Sequence, residues 1–176
     1  MYHPKPLAMI MLSLGLWLAA LPATALESDR KQPINIKADR ITINEKKGFS
    51  HYQGNVVIVQ GTLRVTGDDV TVYMQDDILK RIIVIGNPAT FQQQPEEGKK
   101  LVKSRAGKME YDVNKNLLYL RHKAEVEQGL NHFSGDYLQY NTRTSTISGR
   151  KSDRGDERVN ITIVPQEKSN ETKEQP

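Results

Sequence analysis

Apolar and polar residues alternate with a period of two along almost the whole chain. Ile34, Ile36 and Ala38 are separated by polar positions, and the rhythm continues through Ile41 and Ile43, Val56 and Ile58, Leu63 and Val65, Val70, Val72 and Met74, then Ile82 and Val84. It resumes at Met109, Tyr111 and Val113, Leu118 and Leu120, Ala124 and Val126, Leu138 and Tyr140, and finally Val159, Ile161 and Ile163. Successive side chains of a strand point to opposite faces, so this spacing predicts short β-strands with one face buried. No window longer than one turn carries a helical stripe. Gly48, Gly54, Gly61, Gly67, Gly107, Gly129 and Gly135 fall between the apolar segments, where turns or bulges need a residue without a β-carbon. Asn87-Pro88 marks another break, because proline cannot donate to a strand ladder.

The pattern is said twice. Gln60 to Val70 reads QGTLRVTGDDV and Gln128 to Leu138 reads QGLNHFSGDYL. Sliding the chain over itself until these two runs coincide also aligns Ile41 with Met109, Ile43 with Tyr111, Val56 with Ala124, Ile58 with Val126 and Leu79 with Ile147. Each copy holds too few strands to close a core alone, so stacking the copies along one axis shares their buried faces. The expectation is an elongated all-β body of two antiparallel sheets. Its first strand, Pro33 to Ala38, and its last, Val159 to Val164, then expose unpaired backbone groups. Gly67-Asp68-Asp69 and Gly135-Asp136 read as turns in which aspartate accepts backbone hydrogen bonds.

The two ends differ from the rest. Lys5 precedes the run Leu7 to Leu21, which is apolar almost throughout, and Ala23-Thr24-Ala25 follows with small residues. This is the pattern of a cleavable signal peptide, residues 1–25, and the run falls short of the roughly 20 residues that span a bilayer as a helix. After Pro165 the chain is polar and charged, which predicts a disordered tail over 166–176 and leaves 26–165 as the folded domain.

Composition narrows the function. The chain is 37% hydrophobic and 26% charged, ordinary for a soluble domain, and has no cysteine, so packing and strand pairing alone hold it together. Of its 25 Lys and Arg only Lys5 lies in the leader, which leaves 24 against 21 acidic residues. Lys99, Lys100, Lys103, Arg105 and Lys108, and Arg150, Lys151, Arg154 and Arg158, have no nucleic-acid motif or aromatic companions, so they read as solvated loops and no nucleic-acid partner is expected. His51, His122 and His132 show no metal-ligand spacing, and Ser134 lacks a partnered base. No catalytic site, metal or cofactor is expected.

The runs QPINIKADRITI (Gln32 to Ile43), QGNVVIVQGTLRVTGDDVTV (Gln53 to Val72) and GNPATFQQ (Gly86 to Gln93), closed by Arg158, Val159, Val164 and Pro165, resemble the OstA-like family of periplasmic lipopolysaccharide transport proteins. The resemblance covers about 32–165. It implies a slightly twisted β-jellyroll with a greasy interior, copies joined head to tail, and lipopolysaccharide as cargo. It also implies an inner-membrane LptC-like partner and an outer-membrane LptD-like translocon. Physical chemistry agrees: burying one CH₂ is worth about 0.8 kcal/mol, so an acyl chain of about a dozen carbons exposes on the order of 10 kcal/mol of unfavourable surface and needs a covered path. By the family pattern, Ile34, Ile36, Phe91, Met109, Tyr111 and Val113 line the groove, Phe133 belongs to the core, and Ile34, Ile36 and Ala38 of one copy meet Val159, Ile161 and Ile163 of another by β-strand addition. Two rivals stand. One is an LptC-like component that keeps its N-terminal segment as an anchor, against which the small residues Ala23-Thr24-Ala25 speak. The other is a periplasmic glycan-binding jelly roll, which needs exposed aromatics, whereas the single Trp, Trp17, lies in the leader.

Overall fold

A computed structural model describes residues 29, 31–76, 78–95, 98–151 and 158–165. The expected leader over 1–25, the expected disordered tail over 166–176 and Arg154 lie outside these residues. The alternating segments form ten strands: β1 (Asn35–Lys37), β2 (Arg40–Asn44), β3 (Phe49–Gln60), β4 (Leu63–Gln75), β5 (Ile78–Gln93), β6 (Val102–Asp112), β7 (Leu117–Gln128), β8 (Asn131–Asn141), β9 (Thr146–Arg150) and β10 (Asn160–Thr162). All pairings are antiparallel and join one continuous sheet in the order β1-β3-β4-β5-β6-β7-β8-β10, with β2 also on β3 and β9 also on β8.

The two expected sheets are two layers of this one sheet. Every long pair is interrupted near its middle: between Gln53 and Val56, Thr66 and Asp69, Ile85 and Ala89, Arg105 and Lys108, and Arg121 and Ala124. A bulge bends its strand and increases the local twist, and five in a row crease the sheet across all its long strands. Layer I holds β1, β10 and the halves of β3 to β8 that include Val56–Gln60, Leu63–Thr66, Ala89–Gln93, Val102–Arg105, Ala124–Gln128 and Asn131–Ser134. Layer II holds β2, β9 and the other halves. The buried core draws on both, with Val56, Ile58, Val102 and Val126 from one and Val70, Met109, Leu120, Leu138 and Tyr140 from the other.

Three local readings are corrected. Gly67-Asp68 and Gly135-Asp136 lie inside β4 and β8 beside bulges and not in turns. Asn87-Pro88, with a cis peptide bond, does not end a strand, because β5 runs through it. The terminal strands are shorter than expected, so Ala38, Val159 and Ile163 flank them, and Val113 starts the turn after β6. The duplication itself is written into the backbone. Gly48, Gly54, Asn55 and Gly61 have positive φ of 63, 78, 45 and 56°, and so do their counterparts Asn116, His122, Lys123 and Gly129, at 56, 66, 54 and 62°.

Candidate functional site

Alternate side chains of the two layers point toward each other and leave a cavity of about 260 Å³ between them. Ile34, Leu63, Val65 and Phe91 line it from layer I, and Leu79, Ile82, Val84, Met109, Tyr111 and Leu118 from layer II, with Val113 beside them. The polar lining, Asp29, Gln60, Gln93 and Thr142, sits at or beyond strand ends, away from the crease, so the trough is apolar in its depth and polar along its mouth. Asp29 is held there by the Thr62 amide, which donates to its carboxylate at 2.9 Å, and by the Thr62 hydroxyl at 2.5 Å. Across the mouth the Tyr111 and Thr142 hydroxyls are 3.5 Å apart. Burial raises the pKa of Tyr140 on the inner face of layer II, with Ser145 opposing the rise.

Five of the six groove residues named from the sequence, Ile34, Phe91, Met109, Tyr111 and Val113, come together in this one cavity. Ile36 does not line it; it packs against the core opposite Ile58, with Ala38 beside it. Leu63, Val65, Leu79, Ile82, Val84 and Leu118 were not singled out, although the same period of two marks each as inward-facing. Phe133 packs against the core as expected.

The outer faces are polar and carry a different chemistry. His51 meets Asp69 at 2.7 Å, His122 meets Asp136 at 3.9 Å and His132 lies 3.8 Å from Glu125. The Arg105 guanidinium donates to Glu125, a hydrogen bond that raises its pKa. Asp112, the last residue of β6, has its pKa lowered: burial pulls it up, but hydrogen bonds and charge from Lys115 outweigh it. Aromatic rings on the outside of layer II are covered by guanidinium groups, Arg81 over Tyr73 at 4.4 Å and Arg150 and Arg121 over Tyr137 at 4.8 and 5.5 Å. These rings already hold cations on their faces, which speaks against an open platform for stacking sugars.

The family model described as "LptA/(LptD N-terminal domain) LPS transport protein" matches residues 35–146. The chain belongs to this LptA/LptD N-terminal domain family. Within it, the chain is 30% identical over 158 residues to the lipopolysaccharide export system protein LptH of Pseudomonas aeruginosa, covering 86% of this chain and 90% of that one. It is also 30% identical over 166 residues to LptA of Escherichia coli K12, covering 92% and 88%. The crystal structure of LptH, titled as the LptA homologous periplasmic component of the lipopolysaccharide transport device of P. aeruginosa, superposes with a TM-score of 0.73 at 29% identity, covering 78% of this chain and 99% of that one. The fold is therefore the OstA-like β-jellyroll shared by the LptA/LptD N-terminal domain family.

Proposed function

We propose that the protein carries lipopolysaccharide through the periplasm, with acyl chains of lipid A in the trough and the sugar and phosphate head at its polar mouth. One observation carries this reading: a member of a lipopolysaccharide transport family holds an apolar cavity between two layers, lined by Phe91, Met109 and Tyr111 and edged by polar strand ends. Among the described residues neither layer closes into a barrel, and the trough ends at edge strands, β1 and β2 on one side and β9 and β10 on the other. Such edges suit β-strand addition, and a heterologous contact of this kind builds open chains. Copies joined head to tail then form a bridge from an inner-membrane LptC-like protein to an outer-membrane LptD-like translocon. The role is transport and not catalysis. Residues 1–25 act as a cleavable export signal, so the mature N-terminus is Leu26; retention of the leader on membranes would favour the anchored LptC-like alternative. The reading is tested by photo-crosslinking from positions 91 and 111 in living Gram-negative cells. Lipopolysaccharide adducts at both are expected, and their absence at both, with the protein exported and folded, overturns it.

A further inference from the structure

The rim of layer I carries the same hairpin twice, once per repeat. Gln60 pairs with Leu63 and Gln128 with Asn131, and each pair closes a loop led by a glycine of positive φ, Gly61 at 56° and Gly129 at 62°. The residue after the glycine differs. It is Thr62 in the first repeat and the exposed Leu130 in the second, so the turn itself needs no hydroxyl. Thr62 holds a carboxylate instead. Its amide donates to Asp29 at 2.9 Å, and its hydroxyl lies 2.5 Å from the same carboxylate. The Gln94 amide donates to that hydroxyl at 3.2 Å, and the Gln94 carbonyl, at 3.4 Å, is the poorer acceptor, so the hydroxyl proton is aimed at Asp29. Gly61 completes the cradle, because a β-carbon there would overlap the Asp29 carboxylate.

A turn amide and a hydroxyl that converge on one point make a seat for an oxyanion. This seat lies on the rim of the cavity. Gln60 and Leu63, on either side of the turn, line the cavity, and so do Asp29 itself and Ile34. Between the last two, the Gln32 amide donates to the Asp29 carbonyl at 3.0 Å and the Gln60 side chain to the Gln32 carbonyl at 3.1 Å, so the segment lies along the mouth. Its side-chain bonds are exposed to solvent, where donors trade one partner for another at little cost. Cations share this rim: Lys99 and Lys100 follow Gln94, whose side chain donates to the Lys99 carbonyl at 3.3 Å.

We infer that the Gly61–Thr62 turn is a seat for a phosphate of the cargo's head group, filled in this structure by the chain's own Asp29 carboxylate, and that Asp29 with residues 31–34 forms a latch which the phosphate displaces. This rests on the lipid-carrying reading above and deepens it by naming where the head is recognised. A phosphate brings more charge and more acceptor oxygens than a carboxylate, so it outcompetes Asp29 for the same donors. A carboxylate left beside it would repel it, so the seat holds one anion at a time. A shut latch therefore lowers the apparent affinity for cargo in proportion to the fraction of molecules in which it is open.

Full-length mature protein is titrated with a fluorescent lipid A analogue, with and without its phosphates. Asp29→Ala removes the internal anion and is expected to bind the phosphorylated lipid roughly tenfold tighter than wild type, with the dephosphorylated lipid within about twofold. Thr62→Val keeps the turn but loses the hydroxyl, and is expected to bind the phosphorylated lipid roughly tenfold more weakly, again without changing the other. Equal responses of the two lipids in either variant overturn the seat. Displacement has its own readout. Hydrogen exchange at the Gln32 amide, which is bonded to Asp29, should quicken when phosphorylated lipid binds, although binding slows exchange along the trough wall. An unchanged or slower Gln32 amide overturns the latch. Should neither lipid bind wild type, lipid carriage fails by itself, and inorganic phosphate titrated into Asp29→Ala decides the seat. A shift of the Thr62 amide resonance then keeps the seat for free phosphate and overturns its link to a lipid head group, and no shift overturns the seat as well.

Discussion

Phe91 and Met109 lie on neighbouring strands but in opposite layers, and both face the same cavity. Phe91 belongs to the half of β5 that pairs with Ser104, beyond the bulge between Ile85 and Ala89, whereas Met109 pairs with Val84 before it. The crease thus turns two adjacent strands into opposing walls. A flat sheet with the same pairing would place both side chains on one open surface, where acyl chains gain only half the contact.

Enlarging Phe91 should compete with cargo without unfolding the domain. The side chain is 7% exposed and borders the cavity, so Phe91→Trp grows into space already present, whereas Phe91→Asp would bury a carboxylate in the core. Displacing about two methylenes costs about 1.6 kcal/mol, roughly a fifteenfold loss of lipid affinity. Titration with a fluorescent lipid A analogue, with circular dichroism to check strand content, measures this. Unchanged affinity would take Phe91 out of the trough wall.

Ile34 separates cargo binding from stability. It lines the cavity yet is more than half exposed, at the flank of an edge strand. Ile34→Asp should therefore change the melting free energy by less than about 0.5 kcal/mol. Lipid crosslinking and chain formation should both fall, because the charge sits at the mouth and beside an edge strand. A large stability loss with normal lipid binding would show that Ile34 is core.

Much of this was legible in the sequence for a simple reason. Only alternate side chains of a strand can reach the trough, so parity marks Ile34, Met109 and Tyr111 as inward-facing, while the family pattern singled them out among the many residues that share that parity. What parity could not show is where a strand bends. Turns and bulges both call for residues tolerant of unusual backbone or lacking a β-carbon, so Gly67-Asp68 signalled either, and the structure places it within β4. The repeat alignment also slipped at its far end. Leu138 pairs with Gly149 across a shorter hairpin than the one that brings its counterpart Val70 to Val84, so Ile147 corresponds to Ile82 and not to Leu79. Hairpin length is local and leaves no mark on hydrophobic period. The cargo came from family resemblance, since no periodicity distinguishes an acyl trough from an ordinary core.

Ser104 is a built-in weakness of layer I. It is 5% exposed, and its hydroxyl has no hydrogen-bond partner among the described residues, while its counterpart in the first repeat is the apolar Ile36. A buried unpaired hydroxyl costs about 1–3 kcal/mol, so Ser104→Ala should be stabilising by about 0.5–1 kcal/mol after the lost packing is set against it. Urea denaturation measures the shift in midpoint at constant slope. Destabilisation beyond about 1 kcal/mol would mean that Ser104 holds a partner, such as a structural water, that its surroundings require.

Gly67 and Gly135 occupy equivalent places in the two repeats but should respond oppositely to a methyl group. A β-carbon on Gly67 would come within 2.6 Å of Val84 Cγ1 and 2.8 Å of the Ile85 carbonyl oxygen, whereas on Gly135 it would meet Val159 at 3.6 Å, an ordinary contact. The difference follows from the neighbours: β5 runs unbroken past Gly67, while the space opposite Gly135 is met by Val159, just before the short β10. Gly67→Ala must push backbone aside and should be destabilising by about 1–3 kcal/mol. Gly135→Ala avoids that clash and removes the entropic cost of glycine in a strand, so it should be neutral or stabilising by up to about 1 kcal/mol. Paired thermal melts decide the matter, and equal losses in the two variants would show that a methyl group is crowded alike at both positions, contrary to the open contact at Gly135.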